Sequence, residues 1–363
     1  MSDPMSQTLF VNGRFFSQPL SGVQRFATEM THALRRQCTD QVVVLGPAAS
    51  SGGGDFVRSV GRRGGQFWEQ FELPRHTTSG MLVNLGNTAP LLLSSQVVVI
   101  HDAGVFATPE AYSRKFRLWY KFAQQRYVHG GSCIVAVSEF GRRELVRYLG
   151  ARPEDVGVVS EGADHMRAIM ADRGIIDRLP PGRFVLAVGN LAAHKNLASL
   201  TCLASRLAAR GETLVVTGGL AAGAFKHVRT DWLPQPACYV GRVSDGELKA
   251  LYEAAACLVF PSRYEGFGLP AVEAMACGCP VVASRIVGLE ETCGDAAIYV
   301  DPGSPTDIAA RVCALLDDPA QEAAMREKAL SRASVFTWER AAHELTAIIG
   351  RYRARLLSMQ PER

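Results

Sequence analysis

Short runs of β-branched and aliphatic residues recur along the chain, each followed by a segment long enough for one helix. This rhythm restricts the fold more than any other feature. In the first half the runs are Leu9-Phe10-Val11, Val42 to Leu45, Met81-Leu82-Val83, Val97 to Ile100, Ile134 to Val137 and Val156 to Val159. The second half repeats the series with Phe184 to Val188, Leu214-Val215-Val216, Cys238-Tyr239-Val240, Leu258-Val259-Phe260, Val281-Val282-Ala283 and Ile298-Tyr299-Val300. A strand that is apolar throughout must be covered on both faces, as in a parallel sheet flanked by helices. Two such series predict two doubly wound α/β domains, and 363 residues suit two cores better than one. The seam falls at Met170 to Gly182, where Asp-Arg-Gly and Leu-Pro-Pro-Gly interrupt the pattern. Residues 1–170 and 171–345 are read as the two domains. In such sheets ligands sit beyond the carboxyl ends of the strands, so the two domains are expected to face a central cleft.

Composition narrows the function. With 47% hydrophobic and 20% charged residues the chain reads as a soluble globular protein rather than a disordered one. No apolar run approaches a membrane span, and Met1-Ser2-Asp3-Pro4 does not begin a secretory leader, so a cytoplasmic protein is expected. A net charge of +4 is too small to argue for nucleic acid. All of that excess lies in residues 1–170, which carry 18 Lys+Arg and 14 Asp+Glu against 21 of each in the remainder. Nine cysteines, most within apolar or helical segments and with no C-x-x-C pair, read as reduced structural thiols. The chain has neither a G-x-G-x-x-G fingerprint nor a G-x-x-x-x-G-K-[ST] phosphate loop. Ser50 to Gly54 and Gly61 to Gly65 read as flexible loops of the first domain.

The segment richest in chemistry is Pro261 to Val281, P-S-R-Y-E-G-F-G-L-P-A-V-E-A-M-A-C-G-C-P-V. It follows an apolar strand with a glycine-bearing loop and a short helix that Pro270 starts and Gly278 stops. An exposed helix N-terminus after such a loop offers N–H groups and a partial positive charge to a phosphate. Glu265 and Glu273 bracket this cradle with seven residues between them. Carboxylates beside a phosphate make electrostatic sense when they hydrogen-bond hydroxyls, so the implied ligand is a phosphate that carries sugars. Val188-Gly189-Asn190-Leu191-Ala192-Ala193-His194-Lys195-Asn196 leaves the first strand of the second domain in the same way, and Lys195 there can reach a diphosphate.

Taken in order along the chain, these segments resemble the retaining glycosyltransferases of family 4, which have the two-domain GT-B fold and use nucleotide-sugars. The resemblance spans about Gly22 to Leu345. It implies that Lys195 and the N–H groups of Gly266, Phe267, Gly268 and Leu269 hold a diphosphate. It also implies that Glu273 accepts bonds from ribose hydroxyls and that Glu265 orients the transferred sugar. Many relatives carry arginine where this chain has Asn190 and His194, which makes Lys195 the main cation of that loop. His101-Asp102, at the end of the strand Val97 to Ile100, matches a pair that faces the reacting sugar. Gly22, in S-G-V-Q-R-F, matches a glycine turn that closes over the donor, although an ordinary loop glycine reads the same way. Tyr239-Val240-Gly241-Arg242-Val243-Ser244 matches the wall of the nucleobase, with backbone recognition near Val240, while Ser244 and Glu247 form a helix cap by their spacing alone. The text Val335 to Ala342 resembles the approach to a last helix that crosses back, so 346–363 is expected to join the first domain.

The implied activity moves a hexose, mannose before others, from a nucleotide-sugar such as GDP-mannose to a glycan or lipid-linked acceptor in bacterial capsule, exopolysaccharide or lipopolysaccharide assembly. Neither a cofactor nor a metal is implied, since no D-x-D occurs. A non-catalytic nucleotide-sugar-binding subunit and a GT-B epimerase or phosphorylase stay open. The helix read at Tyr112 to Tyr127 interleaves cations with aromatics. It is either an amphipathic helix with its rings in the core or a surface that lies on the cytoplasmic face of an anionic membrane.

Overall fold

The computed structural model describes residues 8–38, 41–48, 54–219 and 232–359. Its strands are β1 (Leu9–Asn12), β2 (Val42–Gly46), β3 (Val57–Ser59), β4 (Met81–Asn84), β5 (Gln96–Ile100), β6 (Cys133–Ala136), β7 (Val156–Val158), β8 (Phe184–Val188), β9 (Thr213–Thr217), β10 (Cys238–Gly241), β11 (Cys257–Phe260), β12 (Val281–Ser284) and β13 (Ala297–Val300). Each apolar run named from the sequence is one of these strands. The exception in the other direction is β3, whose Val-Arg-Ser carries no apolar run. It is an exposed edge strand paired to β2 through Val44 and Val57, so it never needed one.

Packing divides the chain into two compact units, 1–103 with 118–162 and 337–363, and 104–117 with 163–336. The first holds a parallel sheet in the order β3-β2-β1-β4-β5-β6-β7. The second holds a parallel sheet in the order β10-β9-β8-β11-β12-β13. β1, β4, β5 and β6 are buried at every residue, as are β11 and β12, because helices cover both faces.

The last helix, Trp338–Ser358, packs within the first unit. Thr337 caps it by accepting from the Arg340 N–H at 3.2 Å. Trp338 is 1% exposed and meets Phe26 edge-on at 5.7 Å, which anchors this helix to the helix Gly22–Gln37. Of the loops read as flexible, residues 50–53 lie outside the described residues. Gly61 to Gly65 is tethered, because the Arg62 and Arg63 N–H groups donate to the Glu72 carboxylate at 3.0 and 3.1 Å.

Candidate active site

In the second unit β8 and β11 are neighbours, and successive strands run outward from them in opposite directions. The loops leaving their carboxyl ends therefore diverge and open a crevice, the usual ligand position in open α/β sheets. These are the loops that carry the two strongest sequence segments, and they meet. Lys195 Nζ, from the loop after β8, lies 2.7 Å from Glu265 Oε1, from the loop after β11. Both side chains are mostly buried, at 16% and 11% exposed. The Arg263 N–H donates to the His194 carbonyl at 2.8 Å and locks one loop to the other.

Asn196 braces the same junction and was not singled out from the sequence. Its φ of 57° is left-handed, which asparagine tolerates better than most residues. That conformation turns Nδ2 onto the carbonyls of Pro261 at 3.0 Å and Pro302 at 2.9 Å. An asparagine between His-Lys and a new helical turn was the available signal.

His194 carries no charge at neutral pH. Burial and the neighbouring Lys195 push its imidazole down to about 4, against an opposing pull from Glu265. Asn190 lies in the loop after β8, and among the described residues its buried Oδ1 finds no hydrogen-bond partner.

After Glu265 the chain enters the helix Leu269–Ala276 through Gly268, whose φ is 91°. A Cβ at Gly268 would lie 2.5 Å from Leu289 Cδ2, so both backbone and space demand glycine here. Among the described residues the N–H groups of Phe267 and Gly268 donate to no protein acceptor. They sit at the positive end of the helix dipole, where an anion would be stabilised.

Glu273, on that helix, is 7% exposed and already engaged. Its Oε1 lies 3.2 Å from His165 Nε2, and its Oε2 accepts from Tyr252 Oη at 3.4 Å. Burial, with the Glu273 charge adding to it, raises the Tyr252 phenol well above its ordinary range, so the hydroxyl stays a donor. Each carboxylate oxygen keeps a lone pair for one more donor. His165 was missed, because a polar residue 108 positions from its partner leaves no local pattern.

Val240 sits at a bulge in β10. Tyr239 pairs with Val216 and Gly241 with Thr217, which leaves Val240 outside the regular ladder. Ser244 and Glu247 form the expected capping box, with bonds of 2.8 and 3.2 Å.

The remaining candidates belong to the first unit. His101 follows β5 and is 5% exposed. Its Nε2 lies 2.9 Å from the Leu85 carbonyl, an acceptor only, so that nitrogen carries a proton. Its Nδ1 lies 3.4 Å from Glu161 Oε1, and Phe26 meets the ring edge-on at 4.7 Å. Both ring nitrogens thus face groups of the fold itself. Asp102, the next residue, is half-buried. Gly22 is the first residue of the helix Gly22–Gln37, and a Cβ there would meet nothing within 4 Å. Local packing therefore does not require glycine at that position.

The basic aromatic segment forms the helix Arg114–His129. Tyr127 is buried, yet Leu118 and Phe122 are 67% and 58% exposed beside the exposed Arg114 and Lys115. No helix among the described residues is long and apolar enough to cross a membrane.

Residues 172–332 match the family model of the glycosyl transferases group 1. The chain is 29% identical over 268 residues to O-antigen chain mannosyltransferase B of Escherichia coli, an alignment covering 69% of this chain and 68% of that protein. It is 31% identical over 283 residues to a D-inositol 3-phosphate glycosyltransferase of Rhodococcus jostii, covering 72% and 60%. A similar enzyme of Catenulispora acidiphila is 34% identical over 59% of this chain and 55% of its own length. The chain thus spans about half to two thirds of the relatives it matches. Among solved structures it resembles sucrose-phosphate synthase from Thermosynechococcus elongatus, with TM-score 0.73 and 18% identity over 97% of this chain and 99% of that one. Anabaena HepE in complex with UDP-glucose gives 0.69 and 18% over 97% and 99%.

Proposed function

We propose that this chain, whose residues 172–332 match the glycosyl transferases group 1 model and whose fold is that of GT-B structures, is a retaining, family 4 transferase that moves a hexose from a nucleotide-sugar to a glycan acceptor. The observation that carries this reading is the Lys195–Glu265 pair at the divergence of β8 and β11. Lys195 can leave Glu265 for the diphosphate of a donor. The freed carboxylate then accepts hydroxyls of the transferred sugar, and the N–H groups of Gly266 to Leu269 share the phosphate charge as it develops. Glu273 takes ribose hydroxyls on its remaining lone pairs, held in place by His165 and Tyr252. The backbone at the Val240 bulge reads the base. Asn190 Oδ1 lies in the loop beside the donor, and His194, being neutral, fills space there without competing for phosphate.

No residue pair is assigned as nucleophile. The leaving phosphate takes the acceptor proton on the face where the new bond forms, and configuration is retained. Donor and pathway follow the relatives named as O-antigen mannosyltransferases, so GDP-mannose and a lipid-linked or free glycan in lipopolysaccharide, capsule or exopolysaccharide assembly come first. The inositol-phosphate relatives favour a second acceptor class, a phosphorylated cyclitol. The protein works in the cytoplasm, with the helix Arg114–His129 resting on the membrane face.

The test is transfer from GDP-mannose to a mannose-terminated oligosaccharide, with the product's anomeric configuration read by NMR and the assay repeated in EDTA. An α-linked product formed equally in EDTA is expected. An inverted product, dependence on divalent metal, or GDP-mannose turnover without a new glycosidic bond would overturn the reading.

A further inference from the structure

One side of the second sheet, β10-β9-β8, ends in glycines. β8 runs into Gly189, β9 into Gly218 and Gly219, and β10 ends on Gly241. Gly218 has a φ of 149°, and a Cβ there would overlap the Gly189 carbonyl oxygen, so the ends of β8 and β9 touch. The end of β10 is locked to them. The Gly241 carbonyl accepts from the Gly218 N–H at 2.9 Å and from Thr217 Oγ1 at 2.8 Å, and Tyr239 Oη donates to the Gly218 carbonyl at 2.6 Å. Three adjacent strand ends therefore make one rigid shelf of bare backbone.

Two cations lie against this shelf. The Lys195 stem covers Gly189, with Cγ and Cδ each 3.6 Å from where a Cβ would stand. The Arg242 guanidinium covers Gly219, with Nη2 3.2 Å and Nε 3.3 Å from the corresponding point. Lys195 has Glu265 as its partner. Arg242 is half-buried, yet among the described residues it makes neither a hydrogen bond nor an ion pair. Local structure gives it no reason to be basic. It stands two residues before the cap Ser244, at the positive end of the helix Asp245–Ala254, where a cation is disfavoured.

β9 separates the strands that carry the two cations. Neighbouring strands lie about 4.8 Å apart, so β10 is about 10 Å from β8. A diphosphate at Lys195 leaves Arg242 to the far end of a nucleotide, where a flat base can lie along the glycine shelf. A guanidinium offers paired N–H donors and no acceptor, so it suits a base edge with two adjacent acceptors. Guanine has such an edge in O6 and N7, whereas adenine sets an amino donor beside N7. Uracil and thymine hold their two carbonyls apart by an N–H. We propose that Arg242 selects the donor base by donating to O6 and N7 of guanine. This rests on the nucleotide-sugar reading above, and it adds to the backbone contact at Val240 a side chain that tells bases apart.

Calorimetric titration of the full chain with GDP, IDP, 7-deaza-GDP, UDP and ADP tests the contact. IDP keeps O6 and N7 and lacks only the amino group, while 7-deaza-GDP lacks N7. The wild type should bind IDP about as tightly as GDP, and the other three at least about tenfold more weakly. Arg242→Lys keeps the charge without the fork. It should weaken GDP at least about tenfold, leave UDP and ADP unchanged and abolish the difference between GDP and 7-deaza-GDP. The wild-type series decides alone if that variant fails to fold. UDP or ADP bound as tightly as GDP, no loss with 7-deaza-GDP, or undiminished GDP binding by folded Arg242→Lys would overturn the proposal and leave the transferase standing. So would equal weakening of every nucleotide in Arg242→Lys, the mark of a phosphate contact. A wild type that binds none of the nucleotides would overturn the donor-site reading and this proposal with it.

Discussion

On the proposed reading Lys195 has two anions to choose between, Glu265 of its own fold and the diphosphate of a donor. In the unliganded chain it holds the first at 2.7 Å. Removing either partner leaves the other charge mostly buried and disables the site. Lys195→Ala and Glu265→Ala are each expected to cut turnover at least about tenfold, roughly 1.4 kcal/mol of barrier; wild-type rates in both would refute the assignment. His194 gives a pH prediction of definite sign. Its folded pKa of about 4 lies below the ordinary 6.5, so the unfolded chain binds the proton first. The contribution is complete above pH 6.5 and is lost as pH falls toward 4, on the order of 2–3 kcal/mol. His194→Gln should therefore lose less stability than the wild type between pH 6.5 and 4 in chemical denaturation, and parallel curves would count against it. At this scale the sequence showed which residue types mattered but not their partners. Lys195, Glu265 and Glu273 stood out because each lies in a strand-loop-helix context. His165 and Asn196 did not, because their roles come from contacts with residues distant in sequence.

The central strands were the most legible elements, since burial on both faces writes an apolar run into each of β1, β4, β5, β6, β11 and β12. β3 escaped because an exposed edge strand needs no such run. Helix starts were legible wherever a cap had a local rule, as at Ser244 with Glu247 and at Pro270. The helix Leu269–Ala276 depends on Gly268 for its entry. Gly268→Ala combines a left-handed φ with a 2.5 Å contact to Leu289, and a loss of about 1–3 kcal/mol is expected. An unchanged melting temperature would show that the loop can rearrange, and the cradle would lose its claim to a fixed geometry. The helix Arg114–His129 offers a different test. Its exposed Leu118 and Phe122 lie four residues apart, one turn of a helix, next to Arg114 and Lys115. Binding to vesicles containing anionic phospholipid is expected in a sedimentation assay, with Leu118→Asp and Phe122→Asp together abolishing it. Equal sedimentation of the double variant would remove the membrane reading.

At the scale of the whole chain, both sheets follow the same rule. Each has a point where neighbouring strands send the chain opposite ways, β8 with β11 in one unit and β1 with β4 in the other. At each point a cation and a carboxylate meet, Lys195 with Glu265 and Arg14 with Glu69. The first pair sits beside the N-terminus of the helix Leu269–Ala276, which on the proposed reading suits a phosphorylated sugar. The central claim is that the β8–β11 junction binds a nucleotide diphosphate, and calorimetric titration of GDP-mannose, with UDP-, dTDP- and ADP-sugars for comparison, tests it most directly. Saturable binding of one nucleotide family, GDP first, with at least tenfold loss in Lys195→Ala and a melting shift equivalent to about 2.7 kcal/mol at a hundredfold excess over Kd, is predicted. Heat of dilution alone for every sugar nucleotide, or equal binding by wild type and Lys195→Ala, would contradict it.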